Sequence, residues 1–119
     1  MALYTYRARL SETSKSHPIY DADTVRLVAD LGFGLLSELG PCRLYGIDAP
    51  EMRGEERPAG IAARDFLRHL LEPGLWFTIR TFKDDKGKYG RYLVEIILDD
   101  GTNVNELVIE TGHAVAREY

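Results

Sequence analysis

The run Cys42-Arg43-Leu44-Tyr45-Gly46-Ile47-Asp48-Ala49-Pro50-Glu51 constrains the fold of this chain more than any other stretch. Its apolar residues predict a buried strand, and proline cannot donate a hydrogen bond to a sheet. The strand is therefore expected to end near Asp48, with Glu51 in the turn that follows. Arg43 lies early in the strand and two carboxylates follow it, a combination suited to phosphate and metal chemistry. The same acids would also suit an ordinary solvated strand end, so the rest of the chain has to decide.

Hydrophobic patterns along the whole chain predict five strands and two helices. Period-2 alternation and clusters of aromatic and β-branched residues mark the strands. They cover residues 3–10, 19–29, 42–48, 75–82 and 91–98. Apolar residues at three- and four-residue spacing predict a helix over residues 59–71, and Asn103 with Glu106 forms a capping box for a short second helix. Glycine-rich turns join strands two and three, and strands four and five, as hairpins.

These elements predict a mainly β fold of the α+β class, in one domain that spans residues 1–119. Five strands in two hairpins, with a helix between strands three and four and a short C-terminal helix, fit a Greek-key barrel of the oligonucleotide-binding (OB) type. A chain of 119 residues is long enough to bury a core without disulfides. The single cysteine, Cys42, is expected to be a small core residue. Such a fold does not name a function.

Composition sets weak limits on partners and location. The chain has 15 Lys and Arg against 19 Asp and Glu, a formal charge of −4, which argues mildly against broad, non-specific nucleic-acid binding. A local site is compatible with this charge, because a bound divalent cation would offset part of it. The sequence contains neither a signal segment nor an apolar run long enough to span a bilayer. We expect a cytoplasmic, soluble protein without membrane association, and a monomer.

A second acidic pair lies at the start of predicted strand two. Asp21 and Asp23 are two residues apart, so an extended backbone points both side chains to the same side. Two carboxylates on one side favour a hard cation such as calcium. The helix-loop-helix calcium motif is absent, because Arg26 stands where its glycine belongs. An Asp-x-Asp pair is also common in ordinary turns, so the pair alone does not establish a metal site.

Three charged motifs follow one another along the chain. They are Asp21-Ala22-Asp23-Thr24-Val25, Arg43-Leu44-Tyr45-Gly46-Ile47-Asp48-Ala49-Pro50-Glu51 and Lys88-Tyr89-Gly90-Arg91. In this order they resemble the motifs of the staphylococcal nuclease (thermonuclease) family, over about residues 19–116. Weaker similarity continues in Asn103-Val104-Asn105-Glu106-Leu107 and Gly112-His113-Ala114. Three motifs in register are much more specific than any one of them.

The resemblance implies a calcium-dependent phosphodiesterase that acts on single-stranded DNA or RNA. Asp23 and Asp48 would be the carboxylate ligands of the calcium ion. The backbone carbonyl of Ala49 would be a further ligand, and Asp21 would lie behind the ligands as an outer partner. Calcium accepts several oxygen ligands in loose geometry, so this set is chemically suitable without any His or Cys.

The resemblance also implies the residues that act on the substrate. Glu51 would be the general base that activates a water, and Arg43 and Arg91 would hold the scissile phosphate. Lys88 and Tyr89 would contact a neighbouring phosphate. Arginine suits its role because its planar fork matches two phosphate oxygens and stays protonated. In the family, the attack breaks the bond to the 5′ oxygen and leaves 3′-phosphate ends.

Some positions depart from the family pattern and keep other interpretations open. Ala22 replaces the usual glycine and Ala49 the usual threonine, and strict alternation would place Arg43 and Asp48 on opposite faces. The site therefore requires a twist or bulge, for which Gly46 is the candidate. The alternative is a catalytically weak or inactive OB-fold module that binds nucleic acid or a protein, and a purely structural role for the charged motifs is a third interpretation. Retention of both arginines and the glutamate favours the nuclease.

Overall fold

The structure is a computed structural model that describes residues 2–13, 15–82 and 92–118. Strands and helices alternate along these ranges in the following order. They are β1 (Ala2–Leu10), β2 (Ile19–Asp21), β3 (Thr24–Gly32), β4 (Leu35–Leu44), β5 (Ile47–Asp48), α1 (Arg57–Leu70), β6 (Phe77–Phe82), β7 (Tyr92–Ile97), α2 (Val104–Glu110) and β8 (Val115–Ala116). One turn of 3₁₀ helix, Gly54–Glu56, leads into α1. The predicted α+β class with a mainly β composition is confirmed.

The main sheet closes on itself and forms the predicted OB-type barrel. Its strand order is β1-β6-β7-β4-β3-β2, and β1 also pairs with β3. The pairs of neighbouring strands are antiparallel except for β4 and β7, which run parallel. Closure leaves the short β2 as an extension beside β3, and β5 pairs separately with β8. Both short strands lie next to the acidic motifs, so they position the candidate site.

Strand β4, the second strand of the first hairpin, is longer than the sequence predicted. The β3–β4 pair extends from Thr24–Arg43 to Gly32–Leu35, and the turn between the strands is Phe33–Gly34. Residues 37–41, predicted as a connection, belong to β4. Two register shifts within the pair explain the difference, because bulges interrupt the alternation that marks a strand in sequence.

Apolar side chains of the barrel and both helices form a single core. The largest of the fully buried side chains are Phe77, Leu10, Ile19, Leu27, Leu44, Ile47, Leu67, Leu71, Ile79, Ile96, Val25 and Val94. Burying a side chain of this size contributes about 1.5–3 kcal/mol. Cys42 is fully buried, which raises the pKa of its thiol to about 12 and fits the predicted core role.

Helix α1 covers the barrel beside β2. It runs from Arg57 to Leu70, two residues earlier at its start than predicted, because Pro58 is tolerated in a first helical turn. Gly60, Ala63 and Leu67 form its buried face. Arg68, which the sequence analysis did not single out, donates from Nε and Nη2 to the carbonyl oxygen of Ile19, at 3.0 and 2.7 Å. The helix therefore holds β2 by a bidentate side-chain contact as well as by packing.

Helix α2 is capped at its start and contacts the backbone of β7 and of the turn at Tyr45. Its predicted cap is confirmed, because the Asn103 side chain accepts a hydrogen bond from the Glu106 amide at 3.1 Å. The buried Asn105 amide donates to the carbonyl oxygens of Tyr45 and Val94, at 2.9 and 3.0 Å, and accepts from the Ile96 amide at 3.1 Å. Neither described helix is long and apolar enough to cross a membrane.

Candidate active site

A short turn between β2 and β3 brings Asp21 and Asp23 together. The Asp23 amide donates to Asp21 Oδ1 at 3.2 Å, so the first carboxylate fixes the backbone that carries the second. Ala22, the residue between them, is buried. Phe33 is the one described non-glycine residue with a positive φ, so the turn does not need the glycine that Ala22 replaces.

Asp23 links this turn to the segment that contains Asp48. Its Oδ2 accepts a hydrogen bond from the Ala49 amide at 3.1 Å, and its Oδ1 accepts from the Thr24 hydroxyl at 3.3 Å. The Asp23 carbonyl oxygen also accepts from the Leu44 amide at 2.8 Å. Asp23 is buried, so these donors compensate for the lost hydration of its carboxylate.

Arg43 lies between the two acidic segments. It is opposite Thr24 in the β3–β4 register, and its side chain is 14% exposed. Nη2 pairs with Asp48 Oδ1 and donates to the Ile47 carbonyl oxygen at 3.3 Å, while Nη1 lies 3.7 Å from Asp23 Oδ2. One guanidinium thus faces two carboxylates from different segments.

A turn at Tyr45 and Gly46 explains how Arg43 and Asp48 meet on one side. The strand predicted over residues 42–48 is interrupted there, and Gly46 has φ +82°, a conformation that side-chain-bearing residues rarely adopt. The interruption breaks the strict alternation of side chains, so Arg43 and Asp48 lie on the same side, as the proposed site needs. The buried Asn105 holds the turn through the Tyr45 carbonyl oxygen.

Arg117 is a neighbour of Asp48 that sequence reasoning missed. Its amide donates to the Gly46 carbonyl oxygen at 2.8 Å, and its Nη1 lies 3.4 Å from Asp48 Oδ1. The pairing of β5 with β8 brings it there. No local pattern marks this pairing, because both strands are two residues long and far apart in sequence.

Glu51 lies on the loop between β5 and α1, and its side chain is exposed at the edge of the site. Its Oε2 accepts a hydrogen bond from Arg53 Nε at 3.0 Å, and both side chains are well exposed. The backbone of the loop is more constrained. Arg57 Nη1 donates to the Met52 carbonyl oxygen at 2.8 Å, and a Cβ atom added at Gly60 would lie 2.4 Å from the Glu51 carbonyl oxygen. Gly60, not singled out from sequence, therefore permits the close approach of α1 to this loop.

These side chains surround one open cavity of about 660 Å³. It is lined by residues of the β2–β3 turn, the end of β4 and the segment 48–53. Its lining includes Tyr20, Asp21, Asp23, Thr24, Arg43, Asp48, Ala49, Glu51 and Arg53. A cavity of this size accommodates more than a phosphate group, since pockets for whole ligands begin near 300 Å³.

The sequence pattern of the family described as Staphylococcal nuclease homologue matches residues 41–119. The chain belongs to this family. Endonuclease YhcR of Bacillus subtilis (strain 168) is 30% identical over 106 residues, a match that covers 81% of this chain and 8% of that protein. The chain therefore spans less than a tenth of the length of this relative.

Most of the site residues predicted from the staphylococcal nuclease resemblance meet at the cavity. Those that line it are Asp21, Asp23, Arg43, Asp48, Ala49 and Glu51. Lys88, Tyr89 and Arg91 lie outside the described residues, so their positions and roles stay predictions. The two acidic motifs and the first arginine thus converge as the family resemblance implied.

The electrostatics of the Asp21–Asp23 pair favour a bound cation. Burial raises the pKa of Asp21 to about 7, and the hydrogen bond and negative charge of Asp23 act in the same direction. Two carboxylates this close repel each other when both are ionised. Positive charge between them and Asp48 would relieve this repulsion, as the Arg43 guanidinium partly does for Asp23 and Asp48.

The carboxylates at the cavity are of a type that suits calcium, although they are not already arranged around a common point. In the described parts of the chain, no three His, Cys, Asp or Glu side chains are close enough to form a metal site. The carboxylates present are hard oxygen donors, which suit calcium with water completing its shell. A calcium ion here would compete with Arg43 for Asp48.

Proposed function

We propose that this chain is a calcium-dependent phosphodiesterase that cleaves single-stranded DNA or RNA. The observation that carries the proposal is the convergence of Asp23, Arg43, Asp48 and Glu51 on one cavity from separate segments. A phosphodiester is already anionic, so a nucleophile approaches it poorly unless positive charge offsets the charge that develops. Membership of the family and the similarity to Endonuclease YhcR support the assignment to nucleases.

The proposed reaction is an in-line displacement at phosphorus. Glu51 takes a proton from a water whose oxygen forms a bond to phosphorus, and the bond from phosphorus to the 5′ oxygen breaks. The departing 5′ oxygen takes a proton from solvent, so the products are a 3′-phosphate and a 5′-hydroxyl end. The Glu51 carboxylate is exposed at the cavity, where water reaches it directly.

The guanidinium groups hold the ester during this displacement. Arg43 faces the cavity with a planar fork that can bind two non-bridging oxygens. Arg91 is proposed as the second guanidinium, and Lys88 and Tyr89 as contacts to a neighbouring phosphate. The ion pair between Arg43 and Asp48 also keeps the guanidinium oriented before the substrate arrives.

Asp23, Asp48 and the Ala49 carbonyl would hold the calcium ion, with Asp21 behind them. When bound, calcium supplies positive charge that offsets charge developing on the phosphoryl oxygens. Asp23 is held by Thr24 and Ala49, so its carboxylate is oriented without the ion.

Substitution of the proposed base tests the function. We expect Glu51→Gln to lower the rate of nucleotide release from single-stranded DNA in calcium buffer by about 10²-fold to 10⁴-fold, because the amide cannot accept the proton. Glu55→Gln is the matched control, since Glu55 is an exposed residue of the adjacent 3₁₀ turn outside the cavity lining. Equal activity of the Glu51→Gln variant and the unmodified chain would contradict the proposal.

The ion pair between Glu51 and Arg53 favours a second candidate, the OB-fold module that binds without cutting. In that case the carboxylate would serve only as a partner of Arg53. The pair is exposed, and water and salt screen exposed pairs strongly, so it opens readily and leaves Glu51 available. Tight binding of an oligonucleotide without calcium-dependent cleavage would favour this second candidate.

A further inference from the structure

Tyr20 is an exposed aromatic residue at the edge of the proposed active site. The residue is 66% exposed, yet it lines the same cavity as Arg43 and Glu51. The two flanking residues, Ile19 and Asp21, are buried or half-buried. The tyrosine therefore contributes little to the core and is accessible to a ligand in the cavity.

The backbone that carries Tyr20 is fixed. Arg68 donates two hydrogen bonds to the Ile19 carbonyl oxygen, and the Arg26 amide donates to the Pro18 carbonyl oxygen at 2.9 Å. The β2–β3 register shifts between the pairs Ile19–Val25 and Asp21–Thr24, so Tyr20 lies at a bulge. Bulges redirect side chains and are frequent beside active sites.

The surroundings of Tyr20 are charged rather than apolar. Glu51 raises the pKa of Arg53 through their hydrogen bond and through its negative charge. Tyr20 and both members of this ion pair, one of which is the proposed base, line the same cavity. An aromatic ring next to groups that handle a phosphodiester is placed to contact the base of the same nucleotide chain.

We infer that Tyr20 is a stacking platform for an unpaired nucleobase adjacent to the scissile phosphate. The inference rests on the proposed function and adds a contact that distinguishes a nucleic acid from other phosphodiesters. Stacking on an aromatic side chain tolerates any base, because every base has a π face. A base in a duplex is already stacked, so the platform favours single strands.

Binding measurements test the platform without relying on cleavage. The probes are a fluorescein-labelled single-stranded hexanucleotide and a matched one whose central nucleotides lack their bases, both titrated by fluorescence anisotropy in the Glu51→Gln background. We expect Tyr20→Ala to raise Kd for the complete oligonucleotide by about 5-fold to 150-fold, the range that corresponds to the loss of one stacked base. The Kd for the abasic oligonucleotide should not change, and Tyr20→Phe should restore binding of the complete one.

Tyr4→Ala is the matched control. Tyr4 is 65% exposed on β1 and does not line the cavity, so its removal should leave both Kd values unchanged. Equal weakening of both oligonucleotides by Tyr20→Ala, or no weakening of either, would overturn the inference. Thermal unfolding of the variant verifies that it is folded, as expected for an exposed side chain.

Cleavage kinetics separate this inference from the proposed function. In the chain with Glu51 present, Tyr20→Ala should raise KM for the complete oligonucleotide and leave kcat unchanged. If the unmodified chain cleaves and Tyr20→Ala has the same KM, the platform is overturned and the nuclease proposal stands. A chain that does not cleave, yet loses base-dependent binding when Tyr20 is replaced, would overturn the nuclease proposal and support the platform.

Discussion

Arg43 and the carboxylates around it hold one another in a fixed orientation at the cavity. Its guanidinium contacts Asp23 and Asp48, and Asp48 also lies near Arg117. The side chains of Arg43 and Asp23 are largely shielded from water, so their interaction is screened less than that of an exposed pair. The acids thus hold the arginine in place and keep oxygen donors at the cavity.

The raised pKa of Asp21 makes a prediction about pH and stability. Its pKa of about 7 in the folded state lies above the ordinary 3.8, so Asp21 binds a proton more tightly when folded. Its stabilising contribution is complete below about pH 4 and is lost as the pH rises through 7. We expect the free energy of unfolding of Asp21→Asn, taken relative to that of the unmodified chain, to be higher at pH 8 than at pH 4.5. Urea unfolding in EDTA at the two pH values measures this difference.

The control for this measurement is Asp65→Asn, because Asp65 is an exposed carboxylate on α1 outside the cavity. Its free energy of unfolding relative to the unmodified chain should not show the same rise with pH. If the difference in free energy of unfolding between Asp21→Asn and the unmodified chain were identical at both pH values, the raised pKa of Asp21 would be wrong.

At the scale of elements, contacts between α1 and the two acidic segments fix the geometry of the site. Arg68 binds the backbone of β2, Arg57 binds the carbonyl of Met52, and Gly60 packs directly against the Glu51 backbone. The helix is therefore a common support for both walls of the cavity. Helix α2 holds the Tyr45 turn in the same way, through Asn105.

Gly60→Ala should disturb this support. Alanine normally stabilises a helix by about 1 kcal/mol relative to glycine. Here its Cβ would lie 2.4 Å from the Glu51 carbonyl oxygen, and overpacking against a backbone atom typically costs about 1–3 kcal/mol. We expect a net loss of stability in urea unfolding, and a fall in cleavage rate because the loop that carries Glu51 must move.

Ala62→Ser provides the control for Gly60→Ala, since it also adds one heavy atom to α1 but at an exposed position. It should leave both stability and cleavage rate nearly unchanged. A Gly60→Ala variant that is more stable than the unmodified chain would show that the loop yields easily and that α1 does not fix it.

The elements also show how far sequence reasoning reached. Alternation predicted the barrel strands, helical spacing of apolar residues predicted α1, and a capping box predicted α2, because each of these signals is local. The turn at Gly46 was inferred from a conflict between strand alternation and the proposed site. Arg117, Gly60 and the inward position of Arg68 were missed, because each depends on contacts between segments far apart in sequence.

At the scale of the whole molecule, a formal charge of −4 coexists with a site for an anionic substrate. The acids at the cavity contribute to this charge, and Arg43 offsets it locally. General electrostatic attraction is therefore a poor source of affinity, and binding must come from specific contacts and from a bound cation. This balance explains why a base-stacking contact at Tyr20 would matter to affinity.

Calcium should stabilise the whole chain if the acidic residues hold it. A ligand that binds the folded state alone contributes about 2.7 kcal/mol at roughly 100 times its Kd, which raises the Tm of a domain of this size by roughly 10 °C. We expect Asp23→Asn to abolish this rise in calorimetry, because an amide lacks the charge that favours calcium. Asp100→Asn, on an exposed turn, should retain it. An equal rise in both variants would contradict the assigned ligands.

The pairing of β5 with β8 has a consequence for how the protein is made. The contact between Arg117 and Asp48 spans 69 positions, and the strand pair that creates it cannot form until Val115 and Ala116 have been synthesised. A nascent chain that still has this segment inside the ribosome cannot complete the surroundings of Asp48. The proposed centre would thus be finished only after the segment that contains Arg117 has left the ribosome.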